Sequence, residues 1–100
     1  MRVIRTAHKY ELASFDGGLS QDIQFIEKAA TEDGRFITVI DGTTNEEVLA
    51  VLIDRMQELQ AKCPCRENAI VITKLEESLM WLNKRTADRQ ARGVEGKPVQ

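Results

Sequence analysis

Long apolar runs are missing from this sequence of 100 residues. No stretch approaches the roughly 20 apolar residues that a membrane-spanning helix needs, so no membrane partner is expected. The first ten residues, MRVIRTAHKY, alternate apolar and polar and lack the apolar centre of a secretory leader. The expected location is therefore the cytosol. Cysteine is scarce: Cys63 and Cys65 flank Pro64 and are the only two. A disulfide that tight would be strained, and cytosolic thiols are kept reduced, so CPC reads as a turn between helices. Histidine is scarcer still, with His8 alone and neither an HxH nor an HxxxD pattern. A metal site would need more ligands than CPC supplies. Neither a metal nor a cofactor is expected. The carboxylates fall mostly at capping or helix-surface positions, Glu76 and Glu77 among them, which leaves a hydrolase without a general base. The chain reads as a binding protein, not an enzyme.

What is present fits one small domain over 1–100, with a β part over 1–41, a helical hairpin over 43–93 and a tail over 94–100. A domain of this length buries only about 60–70% of its unfolded surface, and sharing apolar surface with a second copy is an ordinary remedy. The fold class is α+β: an antiparallel three-stranded β-meander followed by a long antiparallel two-helix hairpin. VIRTAHKYELASF alternates as one half-buried strand, with Ile4, His8, Tyr10 and Leu12 on a face. His8 is then a packing or hydrogen-bonding residue of that strand. DGG at Asp16–Gly18 signals a hairpin turn. DIQFIEKA and RFITVI follow as two further strands, separated by TEDG.

Asp41-Gly42 ends the last strand, and Thr44 with Glu47 fits a capping box opening the first helix. Val48, Leu49, Leu52, Met56 and Leu59 recur at helical spacing, and Pro64 stops the helix near Lys62. The second helix runs from about Arg66 to Arg92 and closes at Gly93. Its seam is Ile72, Leu75, Leu79 and Leu82, continuing onto polar Asn68 at one end and onto Thr86 and Arg89 at the other. Met80 and Trp81 lie off the seam, and Trp81 reads as core or as a subunit contact in preference to a ligand-stacking ring. The first helix is roughly 28 Å long and the second roughly 40 Å, so an antiparallel pair leaves an overhang of about 12 Å at residues 85–92. The same pairing brings the start of the first helix, near Thr43 and Thr44, close to Arg85.

That overhang is cationic. Lys84, Arg85, Arg89 and Arg92 stand against Asp88, so residues 84–92 sum to +3 in a chain whose net charge is −2. Arg85, Arg89 and Arg92 are spaced i, i+4, i+7 on one face, an arrangement that does not favour the helix itself. Guanidinium forks suit phosphate oxygens. The alternatives are a solvated face with local pairs, since Lys84–Asp88 and Asp88–Arg92 are also i, i+4, or a cation cluster favoured by the helix dipole. A nucleic-acid polymer wants a broad basic surface, which this acidic chain lacks, so a compact anion fits better. The residues alone would put first a hairpin used as a protein-interaction or DNA-binding regulator.

KYEL…QFIEKA, DGTTNEEVLAVLIDRMQ, CREN, ITKLEESLMWLNKRTADR and RGVEG, taken in order, resemble the phage anti-Thoeris sponges, whose helical hairpin is shared with the anti-CBASS sponges. The resemblance runs from about Lys9 to Gly96. It implies a protein acting in the cytoplasm of an infected bacterium, where it sequesters a glycosidic cyclic ADP-ribose messenger without cleaving it. Cyclic di- or trinucleotides are further candidate ligands, at separate sites of a hexamer built as a trimer of dimers. By the same resemblance Asn68, Arg85 and Arg89 are pocket residues, with Arg92 and Thr86 as further candidates. Relatives are expected to carry an aromatic ring where this chain has Glu58, so a base-stacking ring is missing there or is supplied elsewhere. Asn68 and Arg85 stand seventeen residues apart on one helix, about 25 Å, which is too far for one small nucleotide to touch both in one chain. A pocket using both has to be shared by two antiparallel protomers.

Overall fold

The computed structural model describes residues 1–93, which divide into two compact units with their boundary between Thr44 and Asn45. The tail expected over 94–100 lies outside the described residues.

The first unit holds β1 (Arg2–Arg5), β2 (Lys9–Leu12), β3 (Gln21–Gln24), β4 (Glu27–Ala30) and β5 (Phe36–Ile40). The expected three-stranded antiparallel sheet is there, as β1-β2-β3, and β4 pairs with β5 in a second sheet. Its strands are shorter than the sequence suggested. The stretch expected as one strand folds back at Thr6–His8, where Ala7 takes φ 67 and the His8 amide donates to the Arg5 carbonyl at 3.0 Å. Alternation persists through so tight a turn, and alanine gives none of the signal that glycine would in this left-handed conformation. The predicted face of Ile4, His8, Tyr10 and Leu12 therefore does not form. Ile4 falls at a register shift between Val3 and Arg5 and is exposed, as is Leu12, while His8 is a turn residue. Tyr10 does turn inward, meeting Phe25 edge to face with ring centroids 6.0 Å apart.

DIQFIEKA likewise divides between β3 and β4. At the break the backbone changes partner: Ile26 donates to the Thr43 carbonyl at 2.9 Å and Thr43 donates to the Gln24 carbonyl at 2.8 Å. This parallel bridge forces the chain at Gly42 against β3. A Cβ on Gly42 would stand 2.4 Å from the Gln24 carbonyl oxygen, a backbone atom with nowhere to go. The TEDG turn forms as expected, with Gly34 at φ 84.

One buried charge ties this unit together. Glu27 is 7% exposed, and its carboxylate receives both Nε and Nη2 of Arg5 at 2.8 Å. The His8 Nδ1 stands 3.2 Å from the same carboxylate, so β1, the first turn and β4 converge on Glu27. By contrast, the Arg2–Glu11 pair across β1 and β2 lies in the open; hydrogen bonding from Arg2 and then Ser20 lowers the Glu11 pKa. A solvated pair of that kind contributes little to stability.

The second unit is the hairpin of α1 (Asn45–Lys62) and α2 (Arg66–Ala91). α1 begins directly after Thr44 and stops two residues before Pro64, which has no amide to extend it. Cys65 caps α2, accepting the Asn68 amide on Sγ at 3.4 Å. The Gln60 side chain brackets the same residue, donating to its carbonyl at 3.1 Å and accepting its amide at 3.0 Å. CPC is thus a turn held from both sides, with both thiols exposed. Gly93 closes α2 in the left-handed conformation at φ 69.

Five half-buried positions of each helix mirror each other about Pro64, while Val48 and Thr86 stand outside the match. Glu46 and Leu82, Leu49 and Leu79, Ile53 and Leu75, Met56 and Ile72, and Gln60 and Asn68 are each equidistant from it. The α2 seam is the one read from the sequence. On α1 the reading is corrected, because Leu52 and Leu59 are 41% and 38% exposed while Ile53 and Gln60 turn inward. Only the latter pair keeps step with the seam of α2. Every described apolar side chain stays at least partly exposed, with Val51, Met80 and Trp81 between 55% and 61%.

Two substitutions test this account by chemical denaturation. Gly42→Ala drives a methyl into the β3 backbone and is expected to cost about 1–3 kcal/mol, as overpacking does. Arg5→Ala strands the buried Glu27 carboxylate and is expected to cost about 1–3 kcal/mol, whereas Arg2→Ala, which opens a solvated pair, has a much smaller effect.

Candidate functional site

α1 begins at Asn45, whose mirror position about Pro64 is Asn83, so α2 runs on past the start of its partner by about 12 Å. That extension carries the cations. There Lys84, Arg85, Asp88, Arg89 and Arg92, with Trp81 from just before the extension, line an open hollow of about 220 Å³. Successive turns of one helix bring them together, since positions three and four apart share a face.

The members differ in how they are held. Lys84 and Asp88 pair across one turn at 3.7 Å, with both side chains well exposed, which draws one cation and the one anion toward each other. Arg85 is exposed and, among the described residues, has no ion-pair partner. Arg89 is 3% exposed, in line with the seam, and is already engaged by neighbouring groups. It therefore serves as a fixed charge and not as a swinging arm. Arg92 caps the helix and its amide donates to the Asp88 carbonyl at 3.1 Å. The exposed Arg85 offers a planar donor fork to an anion with several oxygens, and Arg89 and Arg92, each already engaged by other groups, add positive charge on the same face. Among the described residues no group of three or more histidine, cysteine, aspartate or glutamate side chains could hold a metal ion.

The structure thus gathers Arg85, Arg89 and Arg92. It separates two other candidates from them. Thr86 is half-buried on the seam side, next to the hollow but not lining it. Asn68 is half-buried in the first turn of α2, seventeen residues from Arg85 and so about 25 Å away. Glu58 is on the outward face of α1 beside Val51, Asp54, Leu59 and Lys62, among which no arginine of the hollow appears.

Trp81, Lys84 and Asp88 are members that the sequence reading did not place in the site. Of the two roles expected for Trp81, core or subunit contact, the first does not hold, since the residue is 61% exposed. The signal was available: Trp81, Arg85, Asp88 and Arg92 follow the i, i+4, i+7, i+11 spacing of a single face. A tryptophan beside a leucine seam is ordinarily assigned to packing, and that expectation hid it.

Comparison with known proteins gives this hairpin a context. The family model described as "Acb2/Tad1, hairpin domain" matches residues 19–87, which include α1 and α2 as far as Arg85 and Thr86. A protein of Bacillus phage SBSphiJ7, "Thoeris anti-defense 1", is 60% identical over 57 residues. That match covers 56% of this chain and 40% of the relative, so it spans two fifths of the length of the phage protein. With more than half of its residues matched by the family model, the chain belongs to the Acb2/Tad1 hairpin-domain family.

Proposed function

We propose that this protein is a phage anti-defence sponge. It binds cyclic nucleotide immune messengers in the cytoplasm of an infected bacterium and withholds them without cleaving them. The observation that carries this reading is the open hollow of Arg85, Arg89 and Arg92 at the end of α2. The name of the phage relative, "Thoeris anti-defense 1", supports the biological setting. A cyclic ADP-ribose with a glycosidic linkage is the first ligand, and cyclic di- and trinucleotides are the second class.

Arginine is suited to this task because it stays charged and grips a diphosphate with paired donors. Sequestration asks for nothing more than tight binding, and the hollow offers donors, one acceptor and an aromatic face. A DNA-binding or protein-interaction regulator fits less well. The basic surface is confined to one helix end in a chain of net charge −2.

A pocket that uses both Asn68 and Arg85 is shared by two copies, because one helix holds them about 25 Å apart. In that arrangement the antiparallel partner brings its Asn68 to the arginine hollow. The exposed Val51 and Met80 of the hairpin favour self-association as a dimer, and a trimer of such dimers is the proposed assembly.

Calorimetric titration tests the reading. Glycosidic cyclic ADP-ribose isomers, cyclic ADP-ribose, ADP-ribose, and cyclic di- and trinucleotides are titrated into the protein and into Arg85→Ala. Nanomolar binding of one cyclic class is expected, with a loss of tenfold or more in the variant. Heating the complex is expected to release the ligand chemically unchanged. Silence of the whole panel, or release of a linear product, contradicts the proposal.

A further inference from the structure

The hollow contains one member that phosphate binding does not use. Trp81 stands one turn before Arg85, is 61% exposed, and is the only tryptophan in the chain. Among the described residues the one aromatic pairing is Tyr10 with Phe25, so the indole has no ring against it. An indole left in water forgoes much of the free energy it would gain by burial, and rings so placed commonly anchor a ligand or a partner. Here it lines one hollow with three arginines.

We propose that Trp81 is the base-stacking platform of the arginine hollow, which makes the site one for a purine nucleotide and not for bare phosphates. The inference rests on the sponge reading above and adds its missing ring. Glu58 occupies the position where an aromatic was expected, and it lines a different hollow, with Val51, Asp54, Leu59 and Lys62. Trp81 is the only flat apolar surface among the residues that line their hollow. Along the helix Trp81 and Arg85 are separated by about 6 Å, and Arg85 and Arg92 by about 10 Å. That order suits a purine on the indole, a ribose spanning one turn, and a diphosphate on the guanidinium groups. Asp88 supplies the acceptor such a ligand also needs. Its carboxylate, paired with Lys84 at 3.7 Å, lies between the ring and Arg92 along the helix and can accept from ribose hydroxyls. A site for inorganic anions alone would gain nothing from an acidic side chain there.

Because Trp81 is the sole tryptophan, the intact protein reports on its own site. Its emission is followed while cyclic ADP-ribose or, separately, pyrophosphate is added, and both affinities are measured for Trp81→Ala, Trp81→Phe and Arg85→Ala. Sedimentation fixes the oligomeric state of each variant. Cyclic ADP-ribose is expected to quench the emission, and pyrophosphate to leave it nearly unchanged. Trp81→Ala is expected to weaken cyclic ADP-ribose about 5- to 100-fold, in line with the worth of stacking a base on a ring. Trp81→Phe should restore most of that loss, and pyrophosphate affinity should stay level in both. If cyclic ADP-ribose binds and depends on Arg85 but neither quenches Trp81 nor notices its removal, the stacking role is overturned and the sponge reading stands. Equal losses for both probes, or a changed assembly state in Trp81→Ala, would mark the ring as structural and also overturn it. If cyclic ADP-ribose binds to neither the wild type nor the variants, the stacking role is overturned for this ligand, and the sponge reading falls only if the whole panel of cyclic nucleotides is silent as well.

Discussion

The constraint on which this molecule's candidate binding surface depends is the register of its hairpin. Pro64 sits at the midpoint of five matched positions on the two helices, from Gln60 and Asn68 at the turn to Glu46 and Leu82 at the far end. Gln60 holds the Cys65 backbone from both sides, which fixes where α2 starts. Once that point is set, the unequal lengths of the helices dictate the rest. α2 must outrun α1, and what it carries beyond is Lys84, Arg85, Asp88, Arg89 and Arg92. A cationic helix end that weakens the helix is tolerated because neighbouring apolar layers hold the hairpin.

Much of the helical half was legible in the sequence because its signals are local and agree with one another. Proline, glycine and a three-four apolar spacing mark ends and faces that the structure reproduces at Lys62, Gly93 and along the α2 seam. The α1 face was less certain for a physical reason. Five apolar residues were picked by type, whereas inward placement is decided by register against α2, which admits polar Gln60 and leaves Leu59 outside. The β half was harder. A turn at Ala7 carries no glycine or proline, and a change of partner at Phe25–Ile26 depends on Thr43, eighteen residues on from Phe25. Neither leaves a mark in a period-two pattern, so each long alternating stretch had to be divided by the structure.

The site was half legible. Three arginines at helical spacing announce a common face, and the structure puts them on one hollow. What the spacing could not reveal is exposure: the same pattern that made Trp81 look like packing leaves it open beside Arg85. Nor does a single chain bring Asn68 to that hollow. In the pocket proposed above, the length of α2 would make a second copy part of the chemistry, and the partly exposed apolar side chains of both helices would give that copy something to rest on.

The shared pocket is therefore the claim most worth testing. Asn68→Ala and Arg85→Ala chains, each expected to lack tight sites on its own, are unfolded together, refolded as mixed dimers and titrated with the messenger that the wild type binds. In a two-fold dimer half of the mixed pairs contain both chains, and each of these rebuilds one intact site out of two, so about a quarter of the wild-type sites should return. No recovery in dimers shown to be mixed would contradict the account, because it would mean that each pocket is completed within a single chain.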